Sequence, residues 1–224
     1  IVFAGSVCRQ ILEKKGIKIA SHIQSVGKVC DSRFNPLKID EGLIDSLNKQ
    51  SFPVIDPSSE PKMREYIENA RMSQDSTGGV IECAATGVPA GIGSPMFGGV
   101  ENLISSIMFG IPAVKGIEFG AGFAITEMLG SQANDQYAYD ENGRVVTLSN
   151  NNGGITGGIT NGMPILFRIA VKPTPSISKP QQTVDLTKHE NTELVIHGRH
   201  DPCIVPRATV VAESALAIAL INLL

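Results

Sequence analysis

From Gly198 to Cys203 the chain reads GRHDPC, placing a fixed cation, a titratable imidazole and a carboxylate on consecutive residues, Arg199, His200 and Asp201, with Pro202 restraining the backbone behind them. Arg is always charged and forks onto phosphate or carboxylate, His exchanges protons near neutrality, and Asp accepts a proton or orients a donor. The set suits a site that holds an anion and moves a proton. A lone Arg-His-Asp turn is more often solvated surface charge; this one gains weight from a second anion-suited segment upstream, NNNGGITGGITNG followed by an apolar stretch and KPTPSI, spanning Asn150 to Ile177. Gly153, Gly154, Gly157 and Gly158 let bare backbone approach a flat ring or a phosphate. Lys172, Thr174 and Ser176 offer one ammonium and two hydroxyls to a phosphate monoester, on a loop stiffened by Pro173 and Pro175. Each loop alone is weak evidence, since glycine-rich turns between strands are usually only turns.

These groups need elements to carry them. Ile165, Phe167, Ile169 and Val171 alternate, which predicts a strand with one buried face that delivers Lys172 to its end. Ala4, Val7, Cys8, Ile11 and Leu12 fall at helical spacing, with Gly16 as the stop. Strands are expected over 17–26, 80–85 and 113–119, and helices from Ser59 and Pro61 to the DSTGG run and over 100–108. A closing helix from about Pro206 is apolar on most faces and should be buried. Residues 129–150 are polar and glycine-bearing, a long excursion placed near the site. The pattern is that of one α+β unit without internal repeats.

Composition fits a folded chain able to bury a core: 224 residues, 42% of them hydrophobic. Net charge is −3 with both signs dispersed, which argues against nucleic acid as a partner. Cys8, Cys30, Cys83 and Cys203 are too widely spaced for a zinc site and read as reduced thiols, hence a cytoplasmic location. The longest apolar run, Ala215 to Leu224, is short of the roughly 20 residues of a membrane span, so no membrane partner is expected.

The ordered set DSTGG (Asp75 to Gly79), GVPAGIGSP (Gly87 to Pro95), IPAVKGIEFGAGF (Ile111 to Phe123), NNNGGITGGITNG, KPTPSI and GRHDPC resembles the C-terminal part of the chorismate synthase family along nearly the whole chain. The resemblance implies a β-α-β sandwich, with residues 1–224 forming the C-terminal portion of a single domain. It implies a lyase of aromatic amino acid biosynthesis that converts 5-enolpyruvylshikimate 3-phosphate to chorismate and phosphate by 1,4-elimination, with reduced FMN as cofactor, in a homotetramer. Whether the flavin is reduced by an outside reductase or by an intrinsic NAD(P)H (NADP-type) activity is left open. Carried over residue by residue, the flavin contacts are Pro112, Ala113, Gly157, Lys172, Pro173, Thr174, Pro175, Ser176 and Arg199. Asp201 matches the carboxylate held near the flavin N5 and is the candidate catalytic residue; its bland alternative is a cap for the final helix. No metal is implied.

The chain opens at Ile1 without an initiator Met, so a truncated piece is expected. The family's two catalytic histidines, several substrate-gripping arginines and a serine-rich flavin segment would then lie outside it, and none of His22, His189, His197 and His200 matches either histidine. Such a piece would be inactive alone. Two competing readings are a non-catalytic flavin- or nucleotide-binding module sharing the cradle, and a phosphatase-like hydrolase using Asp201 and Arg199, for which no second carboxylate or metal cluster is spaced suitably.

Overall fold

A computed structural model of the chain describes residues 1–198 and 200–224. Its elements are α1 (Val2–Lys14), β1 (Lys18–Val26), β2 (Val29–Cys30), α2 (Glu41–Leu47), α3 (Ser59–Met72), β3 (Gly79–Thr86), α4 (Val100–Phe109), β4 (Val114–Phe119), α5 (Gly130–Ala133), β5 (Tyr137–Tyr139), β6 (Val145–Thr147), β7 (Ile155–Thr156), β8 (Ile159–Thr160), β9 (Ile165–Val171), β10 (Gln181–Asp185), β11 (Glu190–Leu194) and α6 (Val205–Leu223). Five strands form one antiparallel sheet in the order β2-β1-β3-β9-β4, and the remaining strands pair as three separate ribbons. The fold is α+β: helices α1, α4 and α6 layer onto one face of that sheet.

Successive strand residues point to opposite faces, so alternation decides what each face buries. Ile19 and Ile23 of β1, Ile81 and Cys83 of β3, and Ile165, Phe167 and Ile169 of β9 share one core with Leu12 of α1, Ile104 and Met108 of α4, and Leu216 and Leu220 of α6. Each fully buried Leu or Ile contributes roughly 1.5–3 kcal/mol. Gly5 of α1 lets α6 come close, because a Cβ there would stand 2.3 Å from the Ser214 Cβ.

The opposite face carries a row of alternating charge in register, His22, Glu82, Arg168 and Glu118 on β1, β3, β9 and β4. The His22 ring is fully buried, its Nδ1 3.1 Å from Asp31 Oδ2 and its Nε2 2.9 Å from Glu82 Oε2. Asp31 also accepts from the backbone N–H groups of Ile55 and Asp56, fastening the 31–56 segment onto the sheet. Arg168 pairs with Glu118 at 2.8 Å. A second small core of Ala20, Phe34, Ile39, Ile44, Leu47, Ala84 and Leu166 covers part of this face.

Three expectations change. Strand β9 is buried on both faces, because the 31–56 segment and the charged row cover Leu166 and Arg168. On α1 the buried edge runs through Gly5 and Leu12, whereas Phe3, Val7 and Ile11 are exposed on a second apolar stripe facing away from the sheet. Helix α6 is 19 residues, longer than the Ala215–Leu224 apolar run, which Asn222 interrupts, and by length and composition it could cross a membrane; here most of it is buried inside the fold.

Candidate functional site

One end of the sheet gathers four of the motifs. Val26, Gly79, Val171 and Val114 lie side by side across β1, β3, β9 and β4. At this edge DSTGG enters β3, KPTPSI leaves β9, and Ile111–Ala113 enters β4. GRHDPC is drawn to the same place, since Thr77 N–H donates to Pro202 C=O at 2.8 Å. The entry to DSTGG is itself shaped by a helix end: Gln74 takes a left-handed φ of 58°, and Asp75 N–H closes α3 on Ala70 C=O at 2.9 Å.

Ala113 also has a left-handed φ, 74°, uncommon outside glycine and a mark of a position held by its surroundings. Its C=O accepts from Lys172 N–H at 2.9 Å, so the two candidate flavin segments are joined where β4 begins and β9 ends. Beyond Lys172, Pro173 and Pro175 lack N–H donors. The Thr174 carbonyl is held instead by Ser76 Oγ at 2.6 Å, while Thr174 Oγ1 is buried with no partner among the described residues. Lys172 is exposed. Lys179, just past the loop, pairs with Asp75 at 2.7 Å and holds that carboxyl below its ordinary range.

Beside these loops lies a cavity of about 640 Å³ whose polar lining includes Arg71, Asp75, Ser76, His200, Asp201 and Arg207. Ile177 and Ser178 form part of its wall; Lys172–Ser176 do not. Asp201 Oδ1 accepts from Cys203 N–H at 3.2 Å, and Oδ2 stands 3.3 Å from Arg207 Nη1 without an aligned hydrogen bond. Asp201 is therefore not the N-cap of α6: that position is Ile204, and the aspartate forms a turn just before it. His200 Nε2 is buried and unpartnered among the described residues. Burial pushes the Cys203 thiol up to about 11, so it stays protonated and unreactive at neutral pH. The arrangement offers cations, a carboxylate and an imidazole around one space, chemistry suited to an anion and a proton transfer. Arg199 lies outside the described residues.

The other motifs occupy the opposite end of the sheet, roughly 25 Å away along the strands. Gly157 and Gly158, with φ of 64° and 83°, make the two-residue turn between β7 and β8. Gly158 C=O accepts from Val100 N–H at 2.9 Å, so this turn abuts the start of α4, while Ala113 follows its end. A Cβ on Gly157 would meet nothing within 4 Å. The described chain thus brings together Pro112, Ala113, Lys172, Pro173, Thr174, Pro175, Ser176 and Asp201, and leaves Gly157 apart.

A family model described as chorismate synthase matches residues 1–224. The chain belongs to the chorismate synthase family. It is 43% identical over 221 residues to the chorismate synthase of Methanobrevibacter smithii and 46% identical over 220 residues to that of Pyrococcus abyssi, each alignment covering 98% of this chain. It covers 59% and 60% of those relatives, so it spans about three fifths of their length. A crystal structure of chorismate synthase superposes with a TM-score of 0.79 at 30% identity, covering 98% of this chain and 60% of that one.

Within this chorismate synthase family chain, sequence reasoning missed the residues that connect the loops: Asp75, Ser76, Lys179, Arg71 and Arg207. DSTGG was visible as a motif, but nothing in its residue types says that a serine will reach a carbonyl 98 positions away. Asn150 and Asp135 are structural. Asn150 binds Pro36 C=O, Pro164 C=O and Gly154 N–H, and Asp135 accepts from Ser149, Asn151 and Asn152, pinning the glycine-rich segment. The 129–150 excursion accordingly serves this end of the sheet rather than the Lys172 end.

Proposed function

We propose that the full-length protein is a chorismate synthase, a lyase that converts 5-enolpyruvylshikimate 3-phosphate to chorismate and phosphate by 1,4-elimination with reduced FMN, and that residues 1–224 are the C-terminal portion of its single domain. Family membership supports the reaction. The observation that carries the site is the convergence of Ala113, Lys172–Ser176 and Asp201 at one sheet end. The residues present fit FMN. Thr174 Oγ1 is a buried hydroxyl lacking a partner among the described residues, and the exposed Lys172 ammonium lies on the same loop.

In this reading Lys172, Thr174 and Ser176 hold the FMN phosphate by charge-assisted hydrogen bonds. Pro112 and Ala113 offer backbone to the ring system, Gly157 lies too far along the sheet to join them within one chain, and Arg199 meets the electron-rich flavin or the anionic substrate. When bound, reduced flavin supplies electron density to an elimination with no net redox change. Asp201 holds or accepts the proton that must move. The 224 residues alone are expected to be inactive. The family resemblance further supports a cytoplasmic homotetramer with no nucleic-acid or membrane partner.

The site is tested by Lys172→Ala in the full-length protein, with FMN binding followed by calorimetry. Loss of a charge-assisted phosphate contact of about 1.5–3 kcal/mol should weaken binding at least tenfold. An unchanged dissociation constant would remove Lys172 from the cofactor site.

A further inference from the structure

We infer that Ser76, with its neighbour Asp75, is a positioning residue that sets the cofactor loop Lys172–Ser176 against the Asp201 segment; this rests on that loop being the FMN phosphate site. Strand β9 stops donating to the sheet at Val171, and Lys172 N–H goes to Ala113 C=O. Of the next three residues, two are prolines without N–H groups. Such a loop cannot fasten itself through its own donors and has to be held by its carbonyls. Ser76 Oγ supplies that hold on Thr174 C=O at 2.6 Å. The same residue, Thr174, carries the buried Oγ1 that has no protein partner among the described residues. Fixing the carbonyl therefore fixes the backbone from which that hydroxyl projects.

The neighbours of Ser76 extend the hold in both directions. Asp75, oriented by Ser76 N–H at 2.8 Å, takes Lys179 Nζ at 2.7 Å beyond the far end of the loop. Thr77 N–H binds Pro202 C=O at 2.8 Å, next to Asp201. Gly78 permits the close approach, since a Cβ there would lie 2.3 Å from Val171 C=O and 3.0 Å from Pro173 Cδ. Four consecutive residues thus touch both ligand-facing segments. Ser76 and Asp75 themselves line the cavity.

The test uses the full-length protein, with FMN affinity from flavin fluorescence titration in the absence of substrate and turnover at saturating FMN measured separately. Ser76→Ala is expected to raise the FMN dissociation constant about two- to tenfold, the effect of losing one neutral hydrogen bond. Ser76→Thr, which keeps the hydroxyl, should restore it, with an unfolding midpoint near wild type in both. Lys172→Ala is the control for the loop. If it weakens FMN while Ser76→Ala does not, the positioning role is wrong and the loop assignment stands. If neither changes affinity, the loop assignment has failed and the positioning role with it. Should Ser76→Ala not fold, Asp75→Asn, which breaks the Lys179 contact at a partly exposed position, carries the same expectation, and unchanged FMN affinity there overturns it.

Discussion

Replacing Asp201 by Asn separates chemistry from structure at the candidate catalytic carboxylate. Its Oδ1 accepts from Cys203 N–H at 3.2 Å, a contact the Asn oxygen retains, and Asn serves turns and caps about as well as Asp. What is lost is the charge of Oδ2, 3.3 Å from Arg207, whose side chain is 84% exposed. Ion pairs this open to water contribute about 0.2–1 kcal/mol. For a domain of this size that moves the unfolding midpoint by no more than about 4 °C. Loss of a general acid or base lowers rate by roughly a hundred- to ten-thousandfold, about 3–5.5 kcal/mol of barrier. The assay is chorismate formation by the full-length protein under anaerobic conditions, at saturating reduced FMN and substrate, with FMN affinity measured independently. The expected result is turnover down at least a hundredfold, with affinity and melting near wild type. Turnover within a few-fold of wild type would refute the assignment and leave Asp201 as a turn-forming residue ahead of α6.

Two further outcomes follow from the fold. Burial alone would lower the His22 pKa, but its hydrogen bonds to Asp31 and Glu82 outweigh burial and raise it, so its stabilisation is complete below about pH 6.5 and fades as pH rises through the folded-state value. Thermal melts from pH 6 to 9 should show a steeper loss for wild type than for His22→Gln, which itself should be less stable by about 3–5 kcal/mol at pH 6 because two buried carboxylates lose their partner. Gly78→Ala drives a Cβ into the Val171 carbonyl and should cost about 1–3 kcal/mol in denaturant unfolding while weakening FMN; a neutral substitution would show that the Val171–Pro173 backbone yields freely.

The main sheet and its helices were legible because their periodicities are strong: β1, α3, β3, α4, β4 and α6 fall within two residues of the expected bounds. What escaped has a physical reason in each case. Helix α2 is only seven residues long, too short for its two buried residues, Ile44 and Leu47, to show a helical period, and every residue of β11 is exposed, so that strand carries no burial pattern. The exposed stripe on α1 is as apolar as its buried edge, so spacing could not choose between them. At the site, the chemistry-bearing side chains on Lys172, Thr174 and Asp201 were visible as residue types. The Ser76 and Lys179 contacts depend on which strand ends meet, and that comes from the antiparallel pairing of β3 with β9 rather than from any local pattern.

The most direct test of the account is turnover by the full-length protein with 5-enolpyruvylshikimate 3-phosphate, with and without reduced FMN, in the absence of oxygen. Chorismate and phosphate released in equal amounts, only when reduced FMN is present, is the predicted result. FMN bound tightly at the Lys172 loop with no chorismate formed would contradict it and favour a flavin-binding module without the chemistry.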